Sequence, residues 1–175
     1  MKKIIVLFTI LIAVVISCKS NSSNGVASKL NVTFEPKSSS NVNGTGIFRE
    51  KNGQVTFTAN FTGLKPGIHA IHIHEKSDCS AADGSSAGGH WNPTFKKHGK
   101  LSQGESHKGD IGNFNADEKG NGTITLSTDE WCIGCGDATK DILGKGLIVH
   151  QGADDYISQP TGNAGARVAC SAIIK

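Results

Sequence analysis

Six histidines and one aspartate of this chain lie at intervals that are typical of a site for two metal ions. They are His72, His74, His90, His98, His107, Asp110 and His150. Seven donors serve two four-coordinate metals only if one donor is shared between them. Because imidazole has two ring nitrogens, a histidine can bind one metal through each of them. The set therefore indicates a binuclear centre with one bridging histidine.

The strand that carries His72 and His74 can present both imidazoles to one metal. Residues two apart on a strand project from the same face, whereas Ile71 and Ile73 project from the other face. His150 ends another apolar run, where a third imidazole can converge. Taken alone, two histidines at this spacing are more often surface residues. His69 lies an odd number of residues from His72, so we expect it on the opposite face as a hydrogen-bonded core histidine.

The remaining donors lie in a long loop and at the start of the strand that follows it. His90, His98, His107 and Asp110 offer three nitrogens and one carboxylate, which is a reasonable tetrahedral zinc set. Any one of them alone is most simply a solvated loop residue. The presence of all four together with the pair on the strand makes that interpretation poor.

The elements that must position these donors are short strands separated by turns. No long apolar run has helical spacing, and the chain contains 22 glycines. The predicted strands are 30–35, 45–50, 54–61, 68–75, 111–115, 122–127, 146–151 and 166–174, with a hairpin turn at 51–53. Eight such strands predict an all-β fold, a Greek-key sandwich or flattened barrel. The long stretches 76–108 and 152–165 are predicted to be functional loops.

The N-terminal residues are typical of an export signal that ends in a lipidated cysteine. Two lysines precede an apolar stretch, 4–16, that is too short to span a bilayer. It ends in Val-Ile-Ser-Cys18, which resembles the bacterial lipobox. The alternative is an ordinary secretory signal with a cysteine near its cleavage site. We predict a signal peptide over 1–17, lipidated Cys18 with a flexible tether over 18–29, and one domain over 30–175.

This organisation predicts an exported bacterial lipoprotein, anchored to a membrane and facing the periplasm or the cell exterior. Removing residues 1–17 takes away two lysines and no acidic residue, which leaves sixteen basic and fifteen acidic residues. A nucleic-acid-binding protein needs a concentrated basic face, and no basic run occurs here. Nucleic acid is therefore excluded as a partner.

Four cysteines remain after Cys18, and an even number in an exported domain favours disulfides. Three pairings are formally allowed. The short spacing of Cys132 and Cys135 favours a local pair, which leaves Cys79 for Cys170. Two cysteines spaced like Cys132 and Cys135 can also form a redox pair or a metal clip, although a local structural disulfide is the default in an oxidising compartment.

Five segments of the chain resemble the copper/zinc superoxide dismutases, and the similarity extends over essentially all of 30–175. The segments are His72-Ile-His74, Gly88-Gly-His90-Trp-Asn-Pro93, Lys97-His98-Gly99, His107-Lys-Gly-Asp110 and Thr161-Gly-Asn-Ala-Gly-Ala-Arg167-Val-Ala-Cys170. The intervals from His74 to Asp110 also match the pattern of the eukaryotic members.

The resemblance implies two metal ions and a role for each matched residue. Copper would be bound by His72, His74, His90 and His150, and zinc by His90, His98, His107 and Asp110, with His90 as the bridge. Asp154 matches the family's aspartate that links ligands of the two metals, and Arg167 matches its anion-guiding arginine. The implied reaction converts superoxide to dioxygen and hydrogen peroxide. His90 would take a proton when the bridge opens.

The chain departs from the family pattern at three places. Cys79 lies five residues after His74, as in bacterial members, although the loop length is of the eukaryotic type. Ser171 stands where the family usually has glycine. The segment 131–137, which contains Cys132 and Cys135, has no counterpart in the common pattern.

The sequence thus favours a lipid-anchored superoxide dismutase. The rival hypothesis is a copper-binding lipoprotein on the same fold that does not turn over substrate. Such a relative would be expected to lack Arg167 or part of the bridged set, whereas this chain keeps both. The oligomeric state is left open, with a homodimer as one option.

Overall fold

Eight antiparallel strands close into a barrel in the computed structural model, which describes residues 28–175. The strands are β1 (Ser28–Pro36), β2 (Asn43–Lys51), β3 (Gln54–Thr62), β4 (Gly67–His74), β5 (Gly112–Ala116), β6 (Gly122–Thr128), β7 (Lys145–His150) and β8 (Arg167–Ile173). The prediction of an eight-stranded all-β fold is confirmed. Every strand begins and ends within two residues of its predicted bounds.

The strand order makes the barrel a Greek key. Around the barrel the strands run β1-β2-β3-β6-β5-β4-β7-β8. Since β3 pairs with β6 and β4 pairs with β7, the connections from β3 to β4 and from β6 to β7 must cross the ends of the barrel. The pairing of β4 with β7 brings the strand of His72 and His74 next to the strand that ends in His150.

Alternation of apolar and polar residues builds the sheet, as β3 illustrates. Val55, Phe57 and Phe61 are buried, and Thr56 and Thr58 between them face outward. The predicted hairpin turn joins β2 to β3. Its two loop residues, Asn52 and Gly53, have φ angles of 54° and 76°. Positive φ at both positions is what a two-residue hairpin of matching twist requires.

Strand β4 is buried on both of its faces, which explains how polar histidines come to lie inside the molecule. Ile71 and Ile73 fill the barrel interior. A long loop pairs with β4 along its edge, where the Ile73 backbone N–H donates to the Gly109 carbonyl at 2.9 Å and the Ile73 carbonyl accepts from the Trp91 N–H at 2.9 Å, and His72 and His74 on the other face are buried. The histidines on that face are therefore enclosed between sheet and loop.

Two disulfides occur in the described part of the chain. One joins Cys79, in the long loop after β4, to Cys170 on β8. The other joins Cys132 to Cys135 in the connection between β6 and β7. Next to Cys170, Ser171 is 2 % exposed, and its hydroxyl is buried without a hydrogen-bond partner. The substitution for the usual glycine thus places a polar group in an apolar setting.

The predicted signal peptide and most of the predicted tether lie outside the described residues. The first strand begins at Ser28, so the last two residues assigned to the tether belong to β1. The one helix between residues 28 and 175 is the 3₁₀ turn Ser85–Ala87, and no helix there is long and apolar enough to cross a membrane.

Candidate metal centre

Four buried histidines form the first cluster of possible ligands, which we call set one. Its members are His72, His74, His90 and His150, and one nitrogen from each lies within 4.8 Å of those of the others. His72 and His74 come from β4 and His150 from the end of β7. His90 reaches the cluster from the long loop, where its backbone forms a bridge with that of His74.

Three histidines and one aspartate form the second cluster, set two. Its members are His90, His98, His107 and Asp110, all buried. The Asp110 Oδ1 atom lies 2.9 Å from His90 Nδ1, 3.1 Å from His98 Nδ1 and 3.2 Å from His107 Nδ1. Its other oxygen accepts backbone N–H groups of Gly99 at 3.0 Å and His107 at 2.8 Å. These two bonds fix the orientation of the carboxylate.

Six imidazole nitrogens in these sets are buried and have no hydrogen-bond partner other than the Asp110 carboxylate, whose Oδ1 lies within 3.2 Å of two of them. They are His72 Nδ1, His74 Nε2, His90 Nε2, His98 Nδ1, His107 Nδ1 and His150 Nε2. Among the described residues the only other such side-chain atom is the Ser171 hydroxyl. Buried polar atoms are normally paired, because leaving one unpaired costs free energy. Metal ions would satisfy all six nitrogens, so the donor set fits two bound metals.

His90 belongs to both sets and presents a different ring nitrogen to each. Its Nδ1 lies against Asp110 in set two, and its Nε2 is one of the unpartnered atoms of set one. Burial lowers the pKa of His90 to about 4, although the hydrogen bond that His90 donates to Asp110 opposes that shift. The ring is therefore uncharged at neutral pH and can offer a lone pair.

The ring nitrogens that face away from the clusters are hydrogen bonded. His72 Nε2 lies 2.8 Å from Asp154 Oδ2, and His98 Nε2 lies 2.9 Å from Asp154 Oδ1. His74 Nδ1 donates to the Gly88 carbonyl at 2.9 Å, and His150 Nδ1 lies 3.2 Å from the Gly165 carbonyl. Partners of this kind fix the tautomer and direct the free nitrogen toward the metal.

Asp154 is itself firmly held between the two sets. Its backbone N–H donates to Asn113 Oδ1 at 2.8 Å, and its carbonyl accepts from Asn113 Nδ2 at 2.8 Å. The Tyr156 backbone N–H donates to Asp154 Oδ1 at 2.7 Å. Burial alone would raise the pKa of this carboxyl, but the hydrogen bonds from His72 and His98 outweigh burial and lower the pKa. The side chain is therefore a fixed anion.

The two sets differ in how readily their histidines take up protons. Burial lowers the pKa values of His74 and His150 well below the usual range, and neighbouring histidines add to the effect. Burial also lowers the pKa of His98, but hydrogen bonds to Asp110 and Asp154 overcome it and raise the pKa to about 9. Asp110 itself has a lowered pKa, because hydrogen bonds from its histidines outweigh its burial.

Arg167 lies at the edge of set one, at the start of β8. Its guanidinium donates from Nη1 to the Gly84 carbonyl and from Nη2 to the Gly88 carbonyl, both at 2.8 Å. The Gly88 carbonyl also accepts from His74, so the cation and a set-one histidine share one anchor. Although burial lowers its pKa, an arginine stays charged at physiological pH. The side chain places a permanent positive charge beside the cluster.

Two residues that the sequence did not single out as parts of the site also shape it. Gln159 holds the backbone of His98, accepting from its N–H at 2.8 Å and donating to its carbonyl at 3.0 Å. Gly162, at a φ of 66°, packs so closely that a Cβ there would collide with Asp154 and His98. His69 is buried away from both sets, with ring nitrogens 2.9 Å from the His150 carbonyl and 2.8 Å from the Lys65 carbonyl.

The family model described as copper/zinc superoxide dismutase (SODC) matches residues 42–173 of this chain. The chain belongs to the copper/zinc superoxide dismutase family. It is similar to superoxide dismutase (Cu-Zn) 2 of Aquifex aeolicus (strain VF5), with 39 % identity over 127 residues. That alignment covers 71 % of this chain and 74 % of the Aquifex protein.

The chain is also similar to a solved structure. The crystal structure of the clock protein EA4 superposes with a TM-score of 0.73 and 33 % sequence identity, covering 86 % of this chain and 97 % of that one. As a copper/zinc superoxide dismutase, the chain is an oxidoreductase that uses copper and zinc and acts on superoxide. The two buried ligand clusters are compatible with those metals.

Proposed function

We propose that set one binds the catalytic copper, that set two binds zinc, and that His90 bridges the two ions as imidazolate. The observation that carries this assignment is the pattern of unpartnered nitrogens. Set one offers four nitrogens and no carboxylate, which suits copper, and set two offers three nitrogens and the Asp110 carboxylate, which suits zinc. His90 supplies a different nitrogen to each set.

Bound copper supplies the one-electron redox chemistry of dismutation, and zinc is the redox-inert partner. The protein's own residues position these ions and move a proton. Because Nδ1 faces Asp110 in set two, Nε2 is the His90 nitrogen that would take up a proton when the bridge to set one opens. A proton at that atom lies inside set one, where peroxide needs it. The carboxylate of Asp154 keeps His72 and His98 from rotating while this happens.

We assign to Arg167 the binding of the superoxide anion next to set one. Its two bonds to backbone carbonyls leave other guanidinium N–H groups free for a small anion. The same bonds restrain the long side chain, so little rotamer freedom remains to be lost on binding. A fixed cation at a cleft also raises the local concentration of anions and their rate of encounter.

Metal titration of three variants tests the assignment. His150→Ala should weaken copper binding and leave zinc unchanged, because His150 belongs to set one only. Asp110→Ala should do the reverse, and His90→Ala should weaken both. Isothermal titration with competing chelators measures each affinity separately. A His90→Ala protein that lost affinity for only one metal would refute the shared ligand.

The membrane anchor is also part of the proposal, and its support is the segment that ends in Cys18. Lipidation there would tether the described domain to a membrane through residues 19–27, with the enzyme facing the periplasm or the cell exterior. Cys18→Ser should release the protein from the membrane fraction without changing its specific activity. Mass spectrometry of the wild-type chain showing an unmodified Cys18, or cleavage elsewhere, would overturn the anchor.

A homodimer stays a prediction that sedimentation of the purified protein can check.

A further inference from the structure

The disulfide between Cys132 and Cys135 lies outside the metal centre, in the connection between β6 and β7. Its two cysteines differ in accessibility. Cys132 is 7 % exposed and packs next to the buried Trp131, whereas Cys135 is an exposed residue on the turn. A thiol arriving from solvent therefore reaches the sulfur of Cys135 first.

The turn that carries this pair is held together without the disulfide. The Asp141 carboxylate accepts the backbone N–H groups of Gly134 at 2.9 Å, Gly136 at 2.9 Å and Leu143 at 3.1 Å. In addition, the Cys132 N–H donates to the Lys140 carbonyl at 2.8 Å. Since these bonds do not involve sulfur, opening the disulfide leaves both thiols on the same turn. The pair can therefore close again without refolding of the domain.

The surroundings of Cys135 leave its sulfur open to attack by a thiol. Cys135 is exposed, and apart from the chain neighbours no atom lies within 4 Å of where a side chain at the adjoining Gly136 would begin. The Asp137 backbone N–H lies 3.5 Å from Cys135 Sγ and can donate to a thiolate. The Lys175 ammonium lies 3.1 Å from where a Gly134 Cβ would be, which places a positive charge beside the turn.

A metal clip fits the same residues less well. The two sulfurs and the Asp141 carboxylate lie within 4.8 Å of one another. However, both oxygens of that carboxylate already accept backbone N–H groups, and two thiolates alone make an incomplete zinc site. The arrangement is better suited to reversible sulfur chemistry than to a bound ion.

We propose that Cys132 and Cys135 form a thiol–disulfide exchange site whose substrate is a thiol. A thiolate attacks Cys135 Sγ, the bond between Cys135 and Cys132 breaks, and Cys132 leaves as a thiolate that takes up a proton. A second thiol then attacks the mixed disulfide and frees Cys135. Two substrate thiols are oxidised to one disulfide, and the protein pair gains two electrons and two protons. In reverse, Cys135 attacks a substrate disulfide and Cys132 resolves it.

The other disulfide provides an internal comparison. Cys170 is fully buried, and its bond to Cys79 closes a sequence separation of 91 residues. Cys79 is only partly exposed, so an incoming thiol should attack this bond more slowly than it attacks the exposed Cys135. The bond between Cys132 and Cys135 spans a sequence separation of only 3 residues and restrains the unfolded chain less. The two bonds should accordingly differ in rate of reduction and in effect on stability.

Reduction of the metal-loaded full chain by glutathione tests the proposal. Alkylation and peptide mass spectrometry should show the pair Cys132–Cys135 reduced at least about tenfold faster than Cys79–Cys170. Circular dichroism and metal content should stay unchanged, and oxidised glutathione should restore the bond. Equal rates for the two disulfides, or loss of the fold together with reduction of Cys132–Cys135, would overturn the proposal.

Two single variants identify the attacked sulfur. Cys132→Ser leaves Cys135 alone, and this protein should accumulate a mixed disulfide with oxidised glutathione. Cys135→Ser leaves the buried Cys132, which should react at least about tenfold more slowly. The opposite order of reactivity would show that Cys135 is not the entry point and would overturn the assignment. Dismutase activity serves as the check that both variants are folded.

Discussion

His72 and His98, one from each ligand set, are hydrogen bonded to the two oxygens of the same carboxylate. The Nε2 atom of His72 lies 2.8 Å from Asp154 Oδ2, and that of His98 lies 2.9 Å from Asp154 Oδ1. The carboxylate is buried and has no room to rotate, because Gly162 packs directly against it. The orientation of a proposed copper ligand is thereby coupled to that of a proposed zinc ligand.

Replacing Asp154 with asparagine should weaken the binding of both metals. An amide keeps the shape but has one acceptor oxygen, so one of the two histidines loses its partner. Changes to such supporting groups typically cost about 10–100-fold in metal affinity. Chelator competition measures this loss for each metal. Asp155→Asn is the matched control, since the exposed Asp155 caps only Ser158 and Ile157. Equal metal affinities of the Asp154→Asn and Asp155→Asn proteins would contradict the coupling.

Gly162→Ala should weaken zinc binding, because the added methyl group has no room. The added methyl group would collide with Asp154 Oδ1 and His98 Nε2, and the residue would sit at a φ of 66°. Gly165→Ala is the control, because its φ is 80° but its Cβ would meet only Gln151 at 3.8 Å. Both should lose about 1 kcal/mol or more of unfolding free energy from backbone strain. Zinc content after dialysis should fall in Gly162→Ala only. An equal fall in both variants would show that backbone strain, and not the collision with Asp154 and His98, causes the loss of zinc.

The shared face of His72 and His74 was predictable from sequence because both lie on β4. Alternation along that strand places His72 and His74 on one face and turns His69 to the other, where the structure finds it between two carbonyls. Gln159 could not be predicted in the same way. Its contact with His98 spans a sequence separation of 61 residues between two loops, and neither loop has a periodic pattern.

The eight strands were likewise predictable, because apolar and polar residues alternate along a strand that is buried on one face. The inner residues of the loops carry no such signal. Gly162 lies in the segment 161–170 that carries the family resemblance, and its closeness to Asp154 becomes visible only when both loops are folded. The positive φ of Gly162 is equally invisible in the sequence, where it is one of 22 glycines.

Zinc affinity should depend on pH more steeply than copper affinity. A metal must displace the proton from His98, whose pKa is raised to about 9, so zinc affinity should fall about tenfold per pH unit below that value. Burial instead lowers the pKa of His90 to about 4 and those of His74 and His150 well below their usual range. The nitrogens of His74, His90 and His150 thus stay unprotonated to lower pH. On acidification zinc should be released first, and release of copper before zinc would refute this order.

The same shift at His98 has a consequence for the metal-free protein. A folded pKa of about 9 lies above the unfolded value near 6.5, so folding favours the protonated ring. That stabilisation is fully present below about pH 6.5 and is lost as the pH rises through about 9. Thermal unfolding of the metal-free protein between pH 6 and 9 measures it. A melting temperature that rose from pH 6 to pH 9 would contradict the expected loss of stability.

Arg167→Ala should slow turnover without removing copper. The guanidinium contacts Gly84 and Gly88 and no ligand nitrogen, so metal content should not change. Loss of the fixed cation should lower kcat/KM for superoxide about tenfold or more and weaken its dependence on ionic strength. Arg49→Ala is the control for net charge, since Arg49 is exposed on β2. An equal effect of the two changes would show that overall charge, not anion binding, sets the rate.

Superoxide turnover and copper content measured on the same preparations test the central claim most directly. Wild-type protein loaded with both metals should dismute superoxide in proportion to its copper content. His150→Ala, which removes one set-one nitrogen, should lose copper and activity together while retaining zinc. Fully metallated wild-type protein that turned over superoxide no faster than buffer would contradict the account and leave a copper-binding protein without catalysis.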